Sequence, residues 1–441
     1  MRENPVLRNA AWIIGCRVIQ SVLQLVVGML CARYLGPANY GLLSYAGAMA
    51  AFALPLMRLG LNETLVRELT DHPGQDGEIM GTALILNLLS GVVCMGMVAG
   101  AAAALHPGDR LTVLVCFLYS LSLLTGALEM IRYWFQYRLL AKYSALVTLI
   151  SYILVSGYRV WLLASGKSVC WFALTGALDY GIIGVFLLWL FYRQGCRLRF
   201  SAHRAGQLLA GSHAYIGAGL MVVLFQNTDR IMLASMAGSQ ETGLYTAAVT
   251  CVTMGQFVYV ALVDSARPVI LRCREETGLF EKRMRSLYGT IVYLAILQGV
   301  VFTLGAPWII AFLYGDAYMG AVPVLRVLNG YFVFSCMGLV RNVWILAHRK
   351  QNWLWLLNLA GAVVNVLLNL WWIPRAGAVG AAAASLVTQL FANLLMGWLL
   401  RPLRENNVLL LRGLNPVFLL EAGKGSRVNR KKERKGRRWD G

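Results

Sequence analysis

Charged residues are scarce in this sequence, and acidic ones are the scarcest, with 20 Asp and Glu against 40 Lys and Arg. Only 14% of the 441 residues are charged, whereas a soluble domain carries about a quarter, so a soluble globular chain is excluded. The nine Cys include no Cys-x-x-Cys pair, which argues against a disulfide framework or a thiolate metal site. The five His show no ligand spacing. We therefore expect no metal, no cofactor and no catalytic residues.

Long apolar runs are abundant instead, and 58% of the residues are hydrophobic. The runs reach roughly twenty residues or more, the length that crosses about 30 Å of hydrocarbon. They lack the period-two alternation of lipid-facing strands, which excludes a closed barrel, and only helices then satisfy the backbone within lipid. We predict an all-α membrane protein with about twelve transmembrane helices. The predicted spans are residues 10–32, 41–60, 79–104, 111–131, 143–164, 169–192, 213–237, 243–266, 287–313, 321–346, 353–373 and 377–400.

The net charge of +20 is explained by where the basic residues fall. If the N-terminus is cytoplasmic, the loops on that side and the tail hold about thirty Lys and Arg, and the opposite loops hold about four, which is the positive-inside asymmetry. Both termini are therefore predicted to be cytoplasmic, and the charge does not indicate nucleic-acid binding. The basic run from Lys431 to Arg438 belongs to a tail that we expect to be disordered and solvated, with contact to anionic lipid as the alternative.

One segment of the sequence occurs twice. Residues 32–46 read ARYLGPANYGLLSYA, and residues 234–248 read ASMAGSQETGLYTAA. Upstream of these copies, Gln24 corresponds to Gln226 at the same offset. The positions that match in register are Ala32 with Ala234, Gly36 with Gly238, Gly41 with Gly243, Leu42 with Leu244, and Ala46 with Ala248.

Six predicted spans separate the two copies. Six is even, so both halves enter the membrane from the same side, as in a parallel repeat about a pseudo-two-fold axis along the membrane normal. We predict two six-helix lobes, residues 1–192 and 213–400, joined by a cytoplasmic linker at 193–212 and followed by the basic tail 401–441. Two lobes around a central cavity favour a transporter that works by alternating access. The alternatives are an old duplication retained only for packing and a chance similarity at low identity.

Three segments resemble a known family: residues 32–46, 226–248 and 313–328, the last of which reads LYGDAYMGAVPVLRVL. They are similar to the polysaccharide transporter family, the lipid-linked oligosaccharide flippases of the MATE-like superfamily that also contains drug exporters and lipid II flippases. The resemblance covers roughly residues 5–400 and implies a MATE-like fold in a bacterial or archaeal cell membrane. It further implies movement of an undecaprenyl-diphosphate-linked oligosaccharide from the cytoplasmic to the outer leaflet for surface polysaccharide biosynthesis. Membrane lipids and other polysaccharide-assembly proteins are the implied partners.

The same resemblance implies a diphosphate site made by cavity arginines on the first, second and eighth helices. The matching positions are Arg17, Arg58 and Arg267. A guanidinium suits this task because its donors form a planar fork that fits phosphate oxygens. The alternatives are that Arg17 snorkels to the interface and that Arg58 and Arg267 are interfacial arginines that set the topology.

Neutral polar side chains recur at helical spacing in several spans. A glycan head group needs neutral donors and acceptors, which Asn and Gln supply, so we interpret these residues as lining a cavity. Hydrogen bonding between helices is the alternative. The predicted glycan-lining residues are Gln20, Gln24, Gln226, Asn358, Asn365, Asn369, Gln389 and Asn393.

Four charged residues are candidates for ion coupling or for pairing between the lobes: Asp229, Arg230, Asp264 and Glu63. A charge within a span is costly and usually faces a cavity or a partner. Asp229 lies deep in the seventh span, so it cannot easily reach the inner interface. It either forms a buried ion pair or serves as a proton or cation site.

Two other functions compete with a flippase. A cation-coupled drug antiporter of the MATE type should have an acidic and aromatic cavity, but the intramembrane charges here lean to arginine, which favours an anionic substrate. A membrane glycan polymerase, ligase or acyltransferase needs a catalytic loop at a membrane face, and the loops carry no metal or nucleophile motif. We therefore predict a transporter and not an enzyme.

Overall fold

The computed structural model describes residues 5–415, and for residues 5–14, 16–18, 218, 225 and 277 it describes the backbone only. Within that range the protein is almost entirely helical and contains no strand, so the all-α prediction is confirmed. Shorter 3-10 helices cover Ala127–Ile131, Asp316–Tyr318 and Arg401–Leu403, and a π-helix covers Phe391–Leu395. The α-helices are α1 Pro5–Met57, α2 Leu61–Asp71, α3 Asp76–Leu105, α4 Arg110–Gly126, α5 Arg132–Tyr137, α6 Ala141–Ala164, α7 Val169–Ala173, α8 Thr175–Arg193, α9 Ala202–Ala237, α10 Ser239–Thr253, α11 Gln256–Arg272, α12 Thr277–Tyr314, α13 Ala321–Ala347, α14 Asn352–Leu390, α15 Met396–Leu399 and α16 Arg404–Gly413.

The described part of the chain contains nine helical segments that are long and apolar enough to cross a membrane, or ten if the bent pair α10 and α11 forms one span. The protein is therefore a multi-pass membrane protein. Two of the segments greatly exceed the roughly twenty residues that one crossing needs. Ile19–Asp71 has 53 residues and Asn352–Leu399 has 48.

Each of these two long segments breaks at a glycine. Gly36, inside α1, has φ 70° and ψ 168°, and Gly377, inside α14, has φ 51° and ψ −129°. Glycine adopts such angles readily because it has no Cβ, and Pro37, which follows Gly36, has no N–H with which to continue the helical hydrogen bonds. If the bent pair α10 and α11 is counted as one span, dividing both long segments at their glycines would give the twelve spans expected from the sequence. That number stays a prediction.

The chain forms two compact units. The first unit comprises Met1–Ala247 and Ala311–Tyr318, and the second unit comprises Ala248–Ile310 and Met319–Gly441. In the first unit, buried side chains of α1, α3, α4, α6 and α7 form one hydrophobic cluster, and those of α2, α3, α5 and α8 form another. The predicted lobe boundary at residues 193–212 stays a prediction.

Helix α16 extends the second unit into the segment where we expect the tail. The hydroxyl of the fully buried Tyr288 donates to Asn406 Oδ1 at 2.6 Å, and the hydroxyl of Tyr293 donates to the Leu414 carbonyl at 2.6 Å. Both tyrosines belong to α12, so α16 and the following Leu414 are held against that helix. Residues 416–441, which include the basic run, lie outside the described residues.

The substitution Asn406→Ala is expected to lower the free energy of unfolding by about 1–3 kcal/mol, because the buried Tyr288 hydroxyl would lose its acceptor. Thermal unfolding of the protein in detergent measures this effect. The variant Glu405→Ala changes an exposed neighbour on the same helix and should melt like the wild type. An unchanged melting temperature for Asn406→Ala would show that this hydrogen bond does not hold α16 in place.

Candidate functional site

Arg58 follows the carboxyl end of α1 and precedes a turn with unusual backbone angles. Leu59 has φ 51° and Gly60 has φ 71°, and this left-handed conformation is strained for a leucine. A Cβ on Gly60 would lie only 2.3 Å from the Ser212 carbonyl oxygen of α9, so a glycine is needed for this close approach. The turn therefore fixes where the Arg58 side chain lies, with 29% of that side chain exposed.

One carboxylate, Glu129, contacts two arginines. Its Oε2 lies 3.6 Å from Arg58 Nη2, and its Oε1 contacts Arg132 Nη2. A 3-10 helix, residues 127–131, leads into Arg132, and because side chains at i and i+3 eclipse in that geometry, Arg132 stacks on Glu129. Arg132 also donates to Thr148 Oγ1 of α6 at 3.4 Å. We name Arg58, Glu129 and Arg132 the Arg–Glu–Arg cluster; it holds two positive charges and one negative charge within membrane-spanning segments.

Close packing of α8 holds the 3-10 helix at this position. A Cβ on Gly184 would lie 2.2 Å from Leu128 Cβ, so α8 can approach this closely only through a glycine. Glu129 is buried, with 8% of its surface exposed, and an ionised carboxylate at that depth requires a charged or hydrogen-bonding partner. The two arginines of the cluster provide it.

A second set of polar contacts joins α6 to α8. Ser151 donates to Asp179 Oδ1 at 2.6 Å, and Arg159 Nη2 donates to Thr175 Oγ1 at 3.2 Å. Thr148, which accepts from the cluster, lies one helical turn from Ser151, so the two side chains share a face of α6. Polar groups therefore continue from the Arg–Glu–Arg cluster along the face of α6 that packs on α8.

The two copies of the repeat contact each other through their second glycines. A Cβ on Gly41 would lie 1.7 Å from the Ser239 carbonyl oxygen, and a Cβ on Gly243 would lie 1.9 Å from the Pro37 carbonyl oxygen. Position 239 is the counterpart of position 37 at the repeat offset of 202. The two close approaches are therefore equivalent under the repeat, and both require that no side chain is present.

Other contacts surround these glycines. Ser44 Oγ and Thr246 Oγ1, which are also counterparts at the offset of 202, lie 2.8 Å apart in a hydrogen bond. The buried Tyr318 donates its hydroxyl to the Ala32 carbonyl at 2.7 Å, and its ring packs edge-on against Tyr40. All of these residues belong to the first unit. The third segment that resembles the family therefore contributes a packing residue to the first copy of the repeat.

The three arginines predicted to bind a diphosphate differ in their placement. Arg17 lies on α1, but its side chain is outside the described residues. Arg58 belongs to the Arg–Glu–Arg cluster. Arg267 lies on α11 in the second unit, where its Nη2 is 2.9 Å from Asp264 Oδ1 and both side chains are about half exposed. Joint binding of one diphosphate by the three arginines stays a prediction.

The remaining candidates for ion coupling or lobe pairing have local partners. On α9, Asp229 Oδ2 accepts a hydrogen bond of 2.6 Å from the Tyr245 hydroxyl, and Arg230 Nη1 donates to Asn227 Oδ1 at 3.3 Å. Glu63 is exposed and accepts from its neighbour in the chain. Tyr245 lies in the second copy of the repeat, so its bond to Asp229 joins the two helices on either side of that turn. A role for Asp229, Arg230 and Glu63 in ion coupling or lobe pairing stays a prediction.

Four of the predicted glycan-lining residues reach the surface of their units. Gln24 and Gln226, which are counterparts in the repeat, are both exposed. Gln20 and Asn358 are half-buried. These four side chains are open to a ligand, and their contact with a glycan stays a prediction.

The other four predicted glycan-lining residues are buried and bond to each other along their own helices. Asn369 Nδ2 donates to Asn365 Oδ1 at 3.1 Å, and Asn393 Nδ2 donates to Gln389 Oε1 at 2.5 Å. All four are less than a tenth exposed. Each bond satisfies buried amide groups, and contact of these residues with a glycan also stays a prediction.

The sequence analysis assigned no role to three residues that the structure brings into polar contacts: Glu129, Arg132 and Asp179. The signal was present, because these charges stand within apolar runs and such charges face a cavity or a partner. Glu129 and Arg132 are only three residues apart, but the contacts that join Glu129 to Arg58 and Asp179 to Ser151 are between different helices. Sequence reasoning could not anticipate these contacts between helices. Within residues 5–415, no group of three or more His, Cys, Asp or Glu side chains is arranged to hold a metal ion.

Arg341 is a further intramembrane arginine that was left without a role. It lies on α13 in the second unit, is 6% exposed, and donates to the Ala392 carbonyl at 2.8 Å. Ala392 belongs to the π-helix, where the regular backbone hydrogen bonds of a helix are interrupted. Arg341 therefore supplies a donor to a backbone carbonyl at this irregular turn.

Comparisons with known proteins agree with this architecture. A family model described as polysaccharide biosynthesis protein matches residues 6–274, more than half of the chain. The lipid II flippase MurJ in an inward closed conformation aligns with a TM-score of 0.72 at 13% identity, over 93% of this chain and 92% of that one. An inward-facing MATE multidrug resistance transporter of the MOP superfamily aligns with a TM-score of 0.65 at 14% identity, over 88% of this chain and 96% of that one.

A third solved structure is similar over most of its length. It is a MOP superfamily transporter from Pyrococcus furiosus whose binding pocket has reversed polarity, with a TM-score of 0.51 at 14% identity over 88% of this chain and 92% of that one. No curated protein matches the chain. At these identities the likeness establishes the fold, so the MATE-like fold prediction is confirmed.

Proposed function

Because the chain belongs to the polysaccharide biosynthesis protein family, we propose that it is a flippase for polyprenyl-diphosphate-linked glycans. Its cargo is an undecaprenyl-diphosphate-linked oligosaccharide, which moves from the cytoplasmic to the outer leaflet by alternating access. The distribution of basic loop residues supports cytoplasmic termini in a bacterial or archaeal cell membrane. The fold shared with a lipid II flippase and a MATE transporter supports transport and not catalysis.

The observation that carries this proposal is the excess of positive charge in the Arg–Glu–Arg cluster. Arg58 and Arg132 share the single carboxylate of Glu129. Charges within membrane spans are costly and mark the paths of charged substrates, and an excess of guanidinium groups suits an anion. A diphosphate matches their donor geometry. We assign Arg58 to the diphosphate, and Arg17 and Arg267 stay candidates from the family resemblance alone.

A glycan cargo explains why neutral polar residues occur within the membrane spans. A sugar head group that crossed bare lipid would lose the hydration of many hydroxyl groups, at several kcal/mol for each unsatisfied group. A water-filled cavity avoids most of this cost while the lipid tail remains in the bilayer. Gln24 and Gln226, both exposed, are placed to contact the sugar. An inside-negative potential favours outward movement of the anion by about 2.3 kcal/mol per net charge per 100 mV.

The contact between the two copies of the repeat serves, in this proposal, as the closure on the outer side. The charge distribution predicts that both repeat turns lie on that side. The glycine contacts Gly41–Ser239 and Gly243–Pro37 exclude space between the helices. The Ser44–Thr246 hydrogen bond adds only about 1 kcal/mol, as is typical of a neutral pair. Such a closure is tight, and the Ser44–Thr246 hydrogen bond within it is a weak, neutral contact.

The substitution Arg58→Ala is expected to reduce glycan flipping by about tenfold, because a charge-assisted hydrogen bond to the diphosphate contributes about 1.5–3 kcal/mol. The measurement uses cells that lack the gene and carry either the wild type or the variant. Undecaprenyl-diphosphate-linked glycans are extracted, and the leaflet that holds them is determined. Accumulation in the inner leaflet, corrected by the wild type and not by Arg58→Ala, supports the proposal and also identifies the sugar.

The matched control is Arg67→Ala, which removes an exposed arginine nearby on α2. If Arg58 only sets the topology of the chain, both variants should behave alike. The rival drug antiporter predicts a different result: the deletion strain would accumulate no lipid-linked glycan and would become sensitive to cationic dyes. That result would reject the flippase.

A further inference from the structure

Within the Arg–Glu–Arg cluster, the two arginines are held to different degrees. The Arg132 guanidinium contacts Glu129 Oε1 directly and also donates to Thr148. Arg58 Nη2 stands 3.6 Å from Glu129 Oε2, beyond the distance at which N–H···O bonds are strongest. Among the described residues, Glu129 is the only carboxylate within 4.0 Å of Arg58. Arg58 is thus paired by charge to Glu129 but not tightly bonded to it.

We propose that Glu129 and Arg132 are positioning residues that make diphosphate binding at Arg58 reversible. Glu129 pairs with Arg58 when no diphosphate is bound. When a diphosphate binds Arg58, Glu129 pairs with Arg132 alone. This inference rests on the flippase function proposed above. In this inference Glu129 competes with the lipid-linked diphosphate for Arg58. The competition lowers the affinity of Arg58 for the diphosphate and so allows its release on the outer side.

The geometry keeps the free-energy cost of this exchange of partners low. A buried carboxylate that loses its partner is strongly destabilising, but Glu129 is already in contact with Arg132 through its other oxygen. It therefore remains paired whether or not Arg58 is taken by the ligand. The 3-10 helix keeps Arg132 stacked on Glu129, so no large backbone movement is needed.

The exchange also selects for the charge of the ligand. To displace Glu129, a ligand must offer Arg58 a stronger interaction than one carboxylate does. A diphosphate provides several charged oxygens, which pair with the guanidinium fork in a bidentate manner. A neutral lipid alcohol provides none. The competitor therefore favours the lipid diphosphate over uncharged polyprenyl lipids in the same bilayer.

This arrangement predicts opposite effects from the two neighbours of Arg58. Removing the charge of Glu129 frees Arg58, so Glu129→Gln should bind a diphosphate about tenfold more tightly. Removing the charge of Arg132 leaves Glu129 with Arg58 as its partner, so Arg132→Gln should bind about tenfold more weakly. Tenfold corresponds to about 1.4 kcal/mol, close to the lower end of the roughly 1.5–3 kcal/mol of a charge-assisted hydrogen bond. Arg58→Gln, which removes the guanidinium itself, should bind a diphosphate at least about tenfold more weakly than the wild type.

The experiment measures binding of farnesyl diphosphate to the purified full-length protein by titration calorimetry at fixed ionic strength, because ion pairing depends on salt. Farnesol serves as the probe without charge and should not bind. Glu129→Asp keeps the carboxylate and should bind close to the wild type. The matched control Glu281→Gln removes a carboxylate from another helical ion pair, Glu281–Arg285 in the second unit. It should leave the affinity for farnesyl diphosphate unchanged. Melting temperatures confirm that each variant is folded.

The double variant Glu129→Gln/Arg132→Gln separates a positioning role for Arg132 from direct contact with the ligand. If Arg132 acts only through Glu129, the double variant should bind like Glu129→Gln alone, which is a coupling that a double-mutant cycle detects. Equal weakening by Glu129→Gln and Arg132→Gln, or no change in either, would overturn the inference. A wild type that does not bind farnesyl diphosphate at all would instead reject the proposed function, and the inference with it.

Discussion

The substitution Gly243→Val is expected to reduce glycan flipping by about a hundredfold. A Cβ at this position would lie 1.9 Å from the Pro37 carbonyl oxygen, so the two repeat turns could not keep their present distance. Overpacking of this kind costs about 1–3 kcal/mol and sometimes more, which corresponds to roughly a hundredfold at its upper end. Flipping is measured by the leaflet distribution of the lipid-linked glycan, at matched amounts of protein in the membrane.

The control for Gly243→Val is Gly100→Val, because Gly100 is a helical glycine on α3 with no atom within 4 Å of the added Cβ. It should retain full flipping. The counterpart variant Gly41→Val should match Gly243→Val, since the Cβ of residue 41 would lie 1.7 Å from the Ser239 carbonyl oxygen. Normal flipping by both repeat variants would show that the close contact is not part of the transport cycle.

A disulfide between the two copies of the repeat is expected to stop flipping completely and reversibly. The double variant Ser44→Cys/Thr246→Cys places two thiols where the hydroxyl oxygens lie 2.8 Å apart. If the outer side opens by separating these turns, a covalent bond holds it closed. Flipping should cease on oxidation and return on reduction, which is measured in vesicles before and after treatment.

This experiment needs a background in which the nine native Cys are replaced by Ala, because several of them could form other disulfides. Each single-Cys variant is the control and should be insensitive to the oxidant. Mass spectrometry of the digested protein identifies the bond formed. A crosslinked protein that flips at the normal rate would show that the turns stay together throughout transport.

The membrane fold could be predicted from the sequence because run length and composition are local properties. Continuous apolar runs leave only helices as a solution in lipid, and the described residues indeed form helices joined by short loops, without a strand. The way in which spans join was harder to predict. The first two predicted spans lie on a single helical segment that breaks at Gly36, since a glycine can turn the chain without a loop.

The candidate site was only partly predictable. Arg58 was singled out because a family resemblance pointed to it, but its partner Glu129 was not. The contact between them depends on the turn at Leu59 and Gly60 and on the close approach of α8 at Gly184. These are contacts between distant parts of the chain, and no periodicity in the sequence encodes them.

The sequence by itself determined the all-α membrane class and the existence of a repeat with glycines at matched positions, because these follow from composition and from comparison of the chain with itself. Only the tertiary structure decided that Gly41 and Gly243 contact the opposite copy and that Glu129 lies between Arg58 and Arg132. The physical reason is that hydrophobic burial selects helices by local pattern, whereas close approaches and ion pairs arise between residues that only packing brings together.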